Sequence, residues 1–417
     1  MKTRGKFLIL GISSVIAFFC LAGMFYNRVA AREDAYKELK VFVDILKRVD
    51  DDYVEKPDLS KAMEGAMKGM VEALDPYGAF LSREKLAAIE PRKDSAPAVI
   101  GVELSKRGGL AYVITTIPDG AAARAGIRAG DYIDAVDDKS VAESSVFEVE
   151  DKLRGEPGSQ VSLSVIRTSV TEPLTIKVTR ELPQYPPVEI KMLDAATGYI
   201  HIYHWAVGTS GQVREAIKQM TRSGGSKLVL DLRNSGGGDF TEALAAANLF
   251  INHGVLAYRK FHEGEPEPIA AKADADATSF PMVVLVDFTT AGPAEVIAGA
   301  ILDSKRGELV GEKTFGFASK QKLFTLRNGS ALVLSVEKFL TPSQKSIQDE
   351  TPKLAGIKPT VVYPDARQKN NRLLDSYLDD ADGRSEAYRK VMQQIEKEQL
   401  DKAIEVLNRP PEVKKAA

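Results

Sequence analysis

Apolar positions recur at helical spacing between Asp34 and Leu74, first as Leu39, Phe42, Val43 and Leu46 and then as Met63, Ala66, Met67 and Met70. That periodicity predicts two helices separated by a break at residues 55–59, the second capped by Ser60 and ended by Pro76 and Gly78. Asp94 to Pro97 reads as a linker. From Ile100 to Leu182 the pattern changes to short apolar runs punctuated by turns, which predicts a compact, mainly β domain. Beyond Pro183, strand-like runs at 197–205, 227–233 and 281–287 alternate with helical ones at 208–220, 241–251 and 293–303. Continuously apolar strands between helices imply an α/β layer with parallel pairs. After Asp365 the chain turns charged and helical, and Leu400, Ile404 and Leu407 form a stripe that can pack on the core or on another subunit.

One further run has no alternation. Phe7 to Tyr26 is uncharged, follows Lys2, Arg4 and Lys6, and precedes Arg28 and Arg32. It is long enough to span a bilayer and predicts an uncleaved signal anchor, with a signal peptide cleaved near Ala30 and Ala31 as the alternative. The crowding of positive charge at the amino end places the bulk of the chain outside the inner face, at a cell inner membrane facing a periplasm or other extracytoplasmic space. The expected organisation is a multi-domain α+β chain. It comprises an anchor or signal peptide at 1–32, a helical segment at 33–94, a mainly β domain at 98–182, an α/β core at 183–366 and a helical tail at 367–417.

Composition removes several function classes. Lys and Arg number 56 against 58 Asp and Glu, a balance that argues against a nucleic-acid partner. Cys20 is the only cysteine, so no intramolecular disulfide or cysteine metal cage can form. His201 and His204 stand three apart in an expected strand and leave opposite faces, while His253 and His262 lie in polar, turn-like sequence. No phosphate loop or dinucleotide fingerprint is present, and no metal or cofactor is expected.

Within the β domain, DGAAARAGIRAGDYIDAVDDKSV, residues 119–141, resembles the PDZ signature, a small-residue helix running into a Gly-Asp turn and an alternating strand. Ile100, Gly101, Val102, Glu103 and Leu104 fall where that family receives a peptide carboxylate and pairs with the peptide backbone. An edge strand used in this way takes affinity from main-chain hydrogen bonds and specificity from side-chain pockets. The alternative is a PDZ fold used only for internal docking.

The ordered series LDPYGAFL, the PDZ signature, LVLDLRNSGGG, VVLVD, AEVIAGAILDSKRGELVGEKTFG, FLTPSQKSIQ and VYPD resembles the carboxyl-terminal processing, or tail-specific, serine protease family. The resemblance covers nearly all of the chain after the anchor. It implies an extracytoplasmic protease that captures protein carboxyl termini on its PDZ domain and cleaves with a Ser-Lys dyad aided by a Gln. The dyad needs a hydroxyl at a preorganised position and a neutral amine within reach. The family carries the nucleophile in a run like S-A-S-A-S-E and the base in T-F-G-K-G-x-x-Q. Glu295 aligns the first run so that the middle Ser corresponds to Gly292. GEKTFG aligns the second so that the Lys corresponds to Phe317 and the Gln to Gln321. Two of three positions are lost.

The segment Asp231 to Gly238 resembles D-L-R-x-N-P-G-G, so the resemblance makes Gly237 and Gly238 oxyanion-hole-like, with Gly236 in place of the Pro. A tight turn needing Gly for backbone reasons is the structural alternative. Gly292, Pro293 and Glu295 also suit a helix start as N-cap, first and third residues. The expected function is that of a family member without a catalytic centre, which binds protein carboxyl termini or a partner. The partner can be a second copy of the chain or an active homologue, and the anchor provides membrane association. The competing expectation is an active endopeptidase with a relocated nucleophile, such as Thr289 or Thr290. Lys320, three residues beyond Phe317 on an extended segment, points to the opposite face from the family Lys and does not simply replace it, and Lys313 is an ordinary residue of the GEKTFG run. A purely structural subunit is the third.

Overall fold

The computed structural model describes residues 37, 39–89, 98–167, 170–349, 354–363 and 386–409. The expected anchor and the 94–97 linker lie outside them. Among the described residues no helix is long and apolar enough to cross a membrane. The chain divides into two compact units, Met1–Met67 and Lys68–Ala417. In the first, the periodic run forms helix α1 over 39–52.

Helix α2, Leu59–Glu72, starts two residues earlier than a cap at Ser60 would place it. Asp58 rather than Ser60 caps it, its Oδ1 accepting from the Lys61 amide at 3.1 Å. After the turn at Pro76 and Gly78, Ala79–Leu81 is not helical but forms strand β1, antiparallel to β16 (Ala331–Leu340). Ala79 and Leu81 are buried with Ala331 and Val333, and helix α3 (Arg83–Ile89) closes this small cluster with Leu86 and Ile89.

Five antiparallel strands form the β domain, in the order β2 (Val102–Arg107), β3 (Leu110–Thr116), β4 (Tyr132–Val136), β6 (Gln160–Ile166) and β7 (Leu174–Thr179). The short β5 (Lys139–Ser140) pairs with β4. Helix α4 (Ala121–Ala125) is the small-residue helix of the signature, and β2 is an edge strand. Helix α5 (Val146–Leu153) had no periodic signal strong enough to predict it, yet its start was encoded. Ser145 and Glu148 make a reciprocal capping box, the S-x-x-E pattern that satisfies two orphan amides. Asp131 and Arg167 form a buried two-point ion pair, at 2.7 and 2.8 Å, that fixes the turn after α4.

The α/β core is a six-stranded sheet ordered β17 (Val361–Val362), β14 (Gly307–Gly311), β13 (Met282–Val286), β10 (Lys227–Asp231), β9 (Thr197–His201) and β8 (Glu189–Met192). All neighbours are parallel except β8 and β9. Helices α6 (Thr209–Arg222), α7 (Phe240–Ala247) and α8 (Pro293–Asp303) share a core with Leu228, Leu230, Val284 and Val286 on one face. The opposite face, with Tyr199, Val229, Val283 and Leu285, packs against Ala403 and Val406 of the carboxyl-terminal helix α9 (Glu386–Leu407). Burial on both faces explains why these strands read as continuously apolar. A second, antiparallel sheet orders β1, β16, β11 (Val255–Lys260) and β12 (Glu267–Ala270), with β15 (Ser319–Thr325) on β16. The tail therefore docks on its own core.

Candidate functional site

Strands β10 and β13 are adjacent and parallel, so their carboxyl ends, where open α/β sheets bind ligands, lie side by side. The loop after β10 carries the glycine turn 236–238, and the loop after β13 carries Thr289, Thr290 and Gly292. Side chains stitch the two loops together. Thr290 Oγ1 donates to Leu232 O at 2.8 Å, the Asn234 amide donates to Thr289 Oγ1 at 2.7 Å, and the Ala291 amide donates to Ser235 O at 2.9 Å. Thr289 Oγ1 also donates to Asp287, and both threonines are buried. Their hydroxyls hold the loop in shape rather than facing a cleft.

Gly292 caps α8 with φ 62° and ψ −125°, a backbone conformation that residues with side chains rarely adopt. The expected helix start is present: Pro293 opens the helix and Glu295 Oε2 accepts from the Gly292 amide at 3.2 Å. Glu295 does more than cap. Fully buried, it accepts from the amides of Gly316 and Phe317, each at 2.7 Å, and from the Thr314 hydroxyl. Burial pushes its carboxyl up to about 8, against the pull of these donors. One side chain thus clamps the 314–317 loop onto the helix start.

That clamp brings Phe317 to Gly292. A Cβ on Gly292 would stand 3.6 Å from the Phe317 ring and 3.7 Å from Gly236 O, which is ordinary contact distance. The same ring packs on Tyr77, with centroids 4.4 Å apart. Tyr77 is buried, its hydroxyl pushed well up by loss of solvent, and it shares a hydrogen bond with Ser105 of β2. An aromatic pair therefore fills the space beside Gly292. Gln321, the third aligned position, donates from Nε2 to Ser319 Oγ at 2.9 Å and Ser335 Oγ at 3.2 Å. Lys320 lies 3.9 Å from Glu337 and over the rings of Phe240 and Phe339.

The PDZ-like domain covers this region. Tyr112 and Ile114 of β3 form one buried cluster with Ala291, and the Arg107 guanidinium lies 4.3 Å from the Tyr112 ring centre and 4.4 Å from that of Phe315. A Cβ on Gly236 would stand 2.2 Å from Thr115, and one on Gly237 only 2.0 Å from Glu103 Oε1. The close approach between domains leaves no room for a Cβ at 236 unless Thr115 shifts, whereas at 237 only the flexible end of Glu103 stands in the way. Among the described residues neither of their amides donates a hydrogen bond. Gly238 differs, because it is constrained by its own domain: its φ is 115° and a Cβ would stand 2.4 Å from the Trp205 carbonyl oxygen. Gly238→Ala is expected to lower the unfolding free energy by at least about 2 kcal/mol in a denaturant melt. Gly237→Ala, which meets only the flexible end of Glu103, should cost less.

A cleft of about 310 Å³ opens between the two domains. Ile100, Gly101, Val102 and Glu103 line it from one side, and Gly236 and Gly237 from the other. Gly101 has φ 82°, as a tight loop before the edge strand requires. Leu104 is not part of the lining; its side chain packs in the β-domain core with Val113 and Ile133. Neither is Gly238. Residues outside the expected set complete the cleft: Glu150, Leu153 and Arg154 from the end of α5, Tyr185 from the connection after β7, and Tyr203 and His204 after β9. His204 stacks on Tyr185 at 3.6 Å, and burial pushes its pKa down to about 4, so it is neutral at pH 7. His201 is separate, its Nε2–H donating to Arg233 O at 2.8 Å and its Nδ1 lying 3.1 Å from the Tyr199 hydroxyl inside the core. The described residues hold no cluster of three metal-ligating side chains.

Comparison with known proteins agrees with this geometry. The model of peptidase family S41 matches residues 196–363, and that of the PDZ domain matches residues 112–167. The carboxy-terminal-processing protease of Bartonella bacilliformis is 31% identical over 335 residues, covering 79% of this chain and 76% of that protein. A probable CtpA-like serine protease of Staphylococcus aureus is 31% identical over 363 residues, 86% of this chain and 71% of the relative. The solved photosystem II D1 C-terminal processing protease superposes with a TM-score of 0.64 at 28% identity, over 83% of this chain and 97% of that one. The chain is a multi-domain α+β protein with a PDZ domain, and it belongs to the carboxy-terminal processing proteases of peptidase family S41.

Proposed function

We propose that this chain is a family member without hydrolytic activity, which uses the cleft between its PDZ domain and its protease-like core to hold the carboxyl termini of other proteins. The observation that carries the reading is the Phe317 ring set against Gly292, at the two places where the family pattern puts the base and the nucleophile. A serine hydrolase needs a hydroxyl and a proton acceptor in contact. Here a glycine and a phenyl ring meet, while the nearby threonine hydroxyls are spent on loop hydrogen bonds. The parts that bind rather than cleave are kept. The glycine loop before β2, the open edge of β2, and the amides of Gly236 and Gly237 all border one cleft. Such amides can donate to a carboxylate or carbonyl oxygen without a nucleophile. We place the protein, through its apolar run at residues 7–26, on a membrane with its bulk on the extracytoplasmic side.

Titration with a short peptide ending in a free carboxylate and an apolar residue tests the binding half. Affinity in the micromolar to millimolar range is expected, roughly −4 to −8 kcal/mol, with clear weakening for the same peptide carrying a terminal amide. Equal affinity for the amide would remove the carboxylate from recognition.

A further inference from the structure

The cleft contains an acidic side chain that carboxylate recognition does not use. Glu103 points out of the edge strand β2 toward the glycine turn, its Oε1 placed beside Gly237. Glu150 reaches the same cleft from α5. Among the described residues neither carboxyl has a hydrogen-bond or ion-pair partner, although both have lost most of their contact with water. Loss of solvent pushes Glu103 up to about 8, with Glu150 adding to the shift, and Glu150 is raised as well. Among the described residues the lining holds one cation, Arg154, which follows α5 and acts on Glu150. Among the described residues that line the cleft, no cation faces Glu103. The groups opposite it are the glycine turn, Tyr185, Tyr203 and the neutral His204. Burial holds such an acid in its protonated form while the cleft is empty, and a ligand that brings a positive charge beside it favours the carboxylate and gains an ion pair.

Strand geometry says which ligand residue meets it. Val102 and Leu104 turn toward the PDZ core, so Glu103, between them, turns the other way. A peptide paired to the edge of β2 with its terminal carboxylate at the Ile100–Gly101 loop alternates likewise. Its last side chain faces the apolar side with Val102, and its penultimate side chain faces Glu103. We propose that Glu103 is a specificity-determining residue that selects peptide tails with lysine or arginine in the penultimate position. This rests on the reading of the cleft as a carboxyl-terminus site, and adds the class of tail it takes.

The test compares three free-acid hexapeptides that differ only at the penultimate residue, which is lysine, norleucine or glutamate, each titrated into the wild-type protein and into Glu103→Gln and Glu103→Lys. In the wild type, lysine should bind about tenfold more tightly than norleucine, and glutamate should bind more weakly than either. The lysine-to-norleucine ratio should fall to about one in Glu103→Gln, and Glu103→Lys should prefer glutamate. A wild-type ratio near one, or a ratio that survives Glu103→Gln, overturns the assignment while leaving carboxyl-terminus binding intact. Failure of all three peptides to bind the wild type, norleucine included, would overturn the carboxyl-terminus reading itself and this assignment with it.

Discussion

Replacing Arg233 with methionine is expected to lower the unfolding free energy by about 3–5 kcal/mol, because the change strands a buried charge. Asp231 is completely buried at the end of β10, and Arg233 is its counter-ion, with Nε 2.9 Å from Oδ1. The pairing holds the Asp231 carboxyl well below the usual carboxylate range despite its burial. The same guanidinium donates to Gln399 Oε1 at 2.8 Å and to the Glu396 carbonyl at 3.1 Å, tying α9 to the loop that begins the glycine turn. Tyr199, whose hydroxyl donates to Asp231 Oδ2 at 2.8 Å, cannot replace a positive charge. Adding Asp231→Asn to Arg233→Met should recover part of the loss, since the stranded charge disappears, and the double variant should lose less than the two single losses combined. Urea melts of the four proteins measure this. An Arg233→Met loss under about 1 kcal/mol would mean that water reaches Asp231 and that the pair is not structural.

Glu295→Ala is the second large effect. Removing this side chain leaves the amides of Gly292, Gly316 and Phe317 and the Thr314 hydroxyl without their acceptor in a buried place. At about 1–3 kcal/mol for each unsatisfied buried group, the expected loss is roughly 4 kcal/mol or more. Thr314→Val should cost less, since it removes one donor to Glu295 and one acceptor, for the Ile357 amide at 2.7 Å. The clamp also decides where Phe317 stands, so its loss should free the ring from Gly292. Denaturant melts that place Glu295→Ala within about 1 kcal/mol of wild type would show that the loop is held by other contacts.

How much of this was legible in the sequence depends on the kind of signal. Periodicity found the strands of the core sheet because both their faces are covered, one by α6–α8 and the other by α9. It missed β1, since three residues after a turn carry no period and their partners stand far along the chain, Ala79 opposite Val333 and Leu81 opposite Ala331. It also missed α5, whose capping box at Ser145 and Glu148 was readable but whose charged surface hid the apolar face. The motif alignment identified Gly292, Phe317 and Gln321, and the structure joins the first two while Gln321 is engaged with Ser319 and Ser335. No local signal foretold Tyr77 against Phe317, or Glu103 against Gly237, because both contacts join segments far apart in the chain. The glycines at 236 and 237 are explained only by the neighbouring domain, and the one at 238 by its own backbone.

The absence of a hydrolytic centre is tested most directly by incubating the wild-type protein with a folded substrate bearing an exposed carboxyl-terminal tail and following the tail by mass spectrometry. Gly292→Ser and the pair Gly292→Ser with Phe317→Lys are assayed beside it. No cleavage above background is expected from the wild type, or from Gly292→Ser alone, in which a hydroxyl gains no amine. Specific cleavage by the wild type that survives Thr289→Ala and Thr290→Val but is lost on replacing Lys320 or Ser319 would contradict this reading and place a working nucleophile on strand β15.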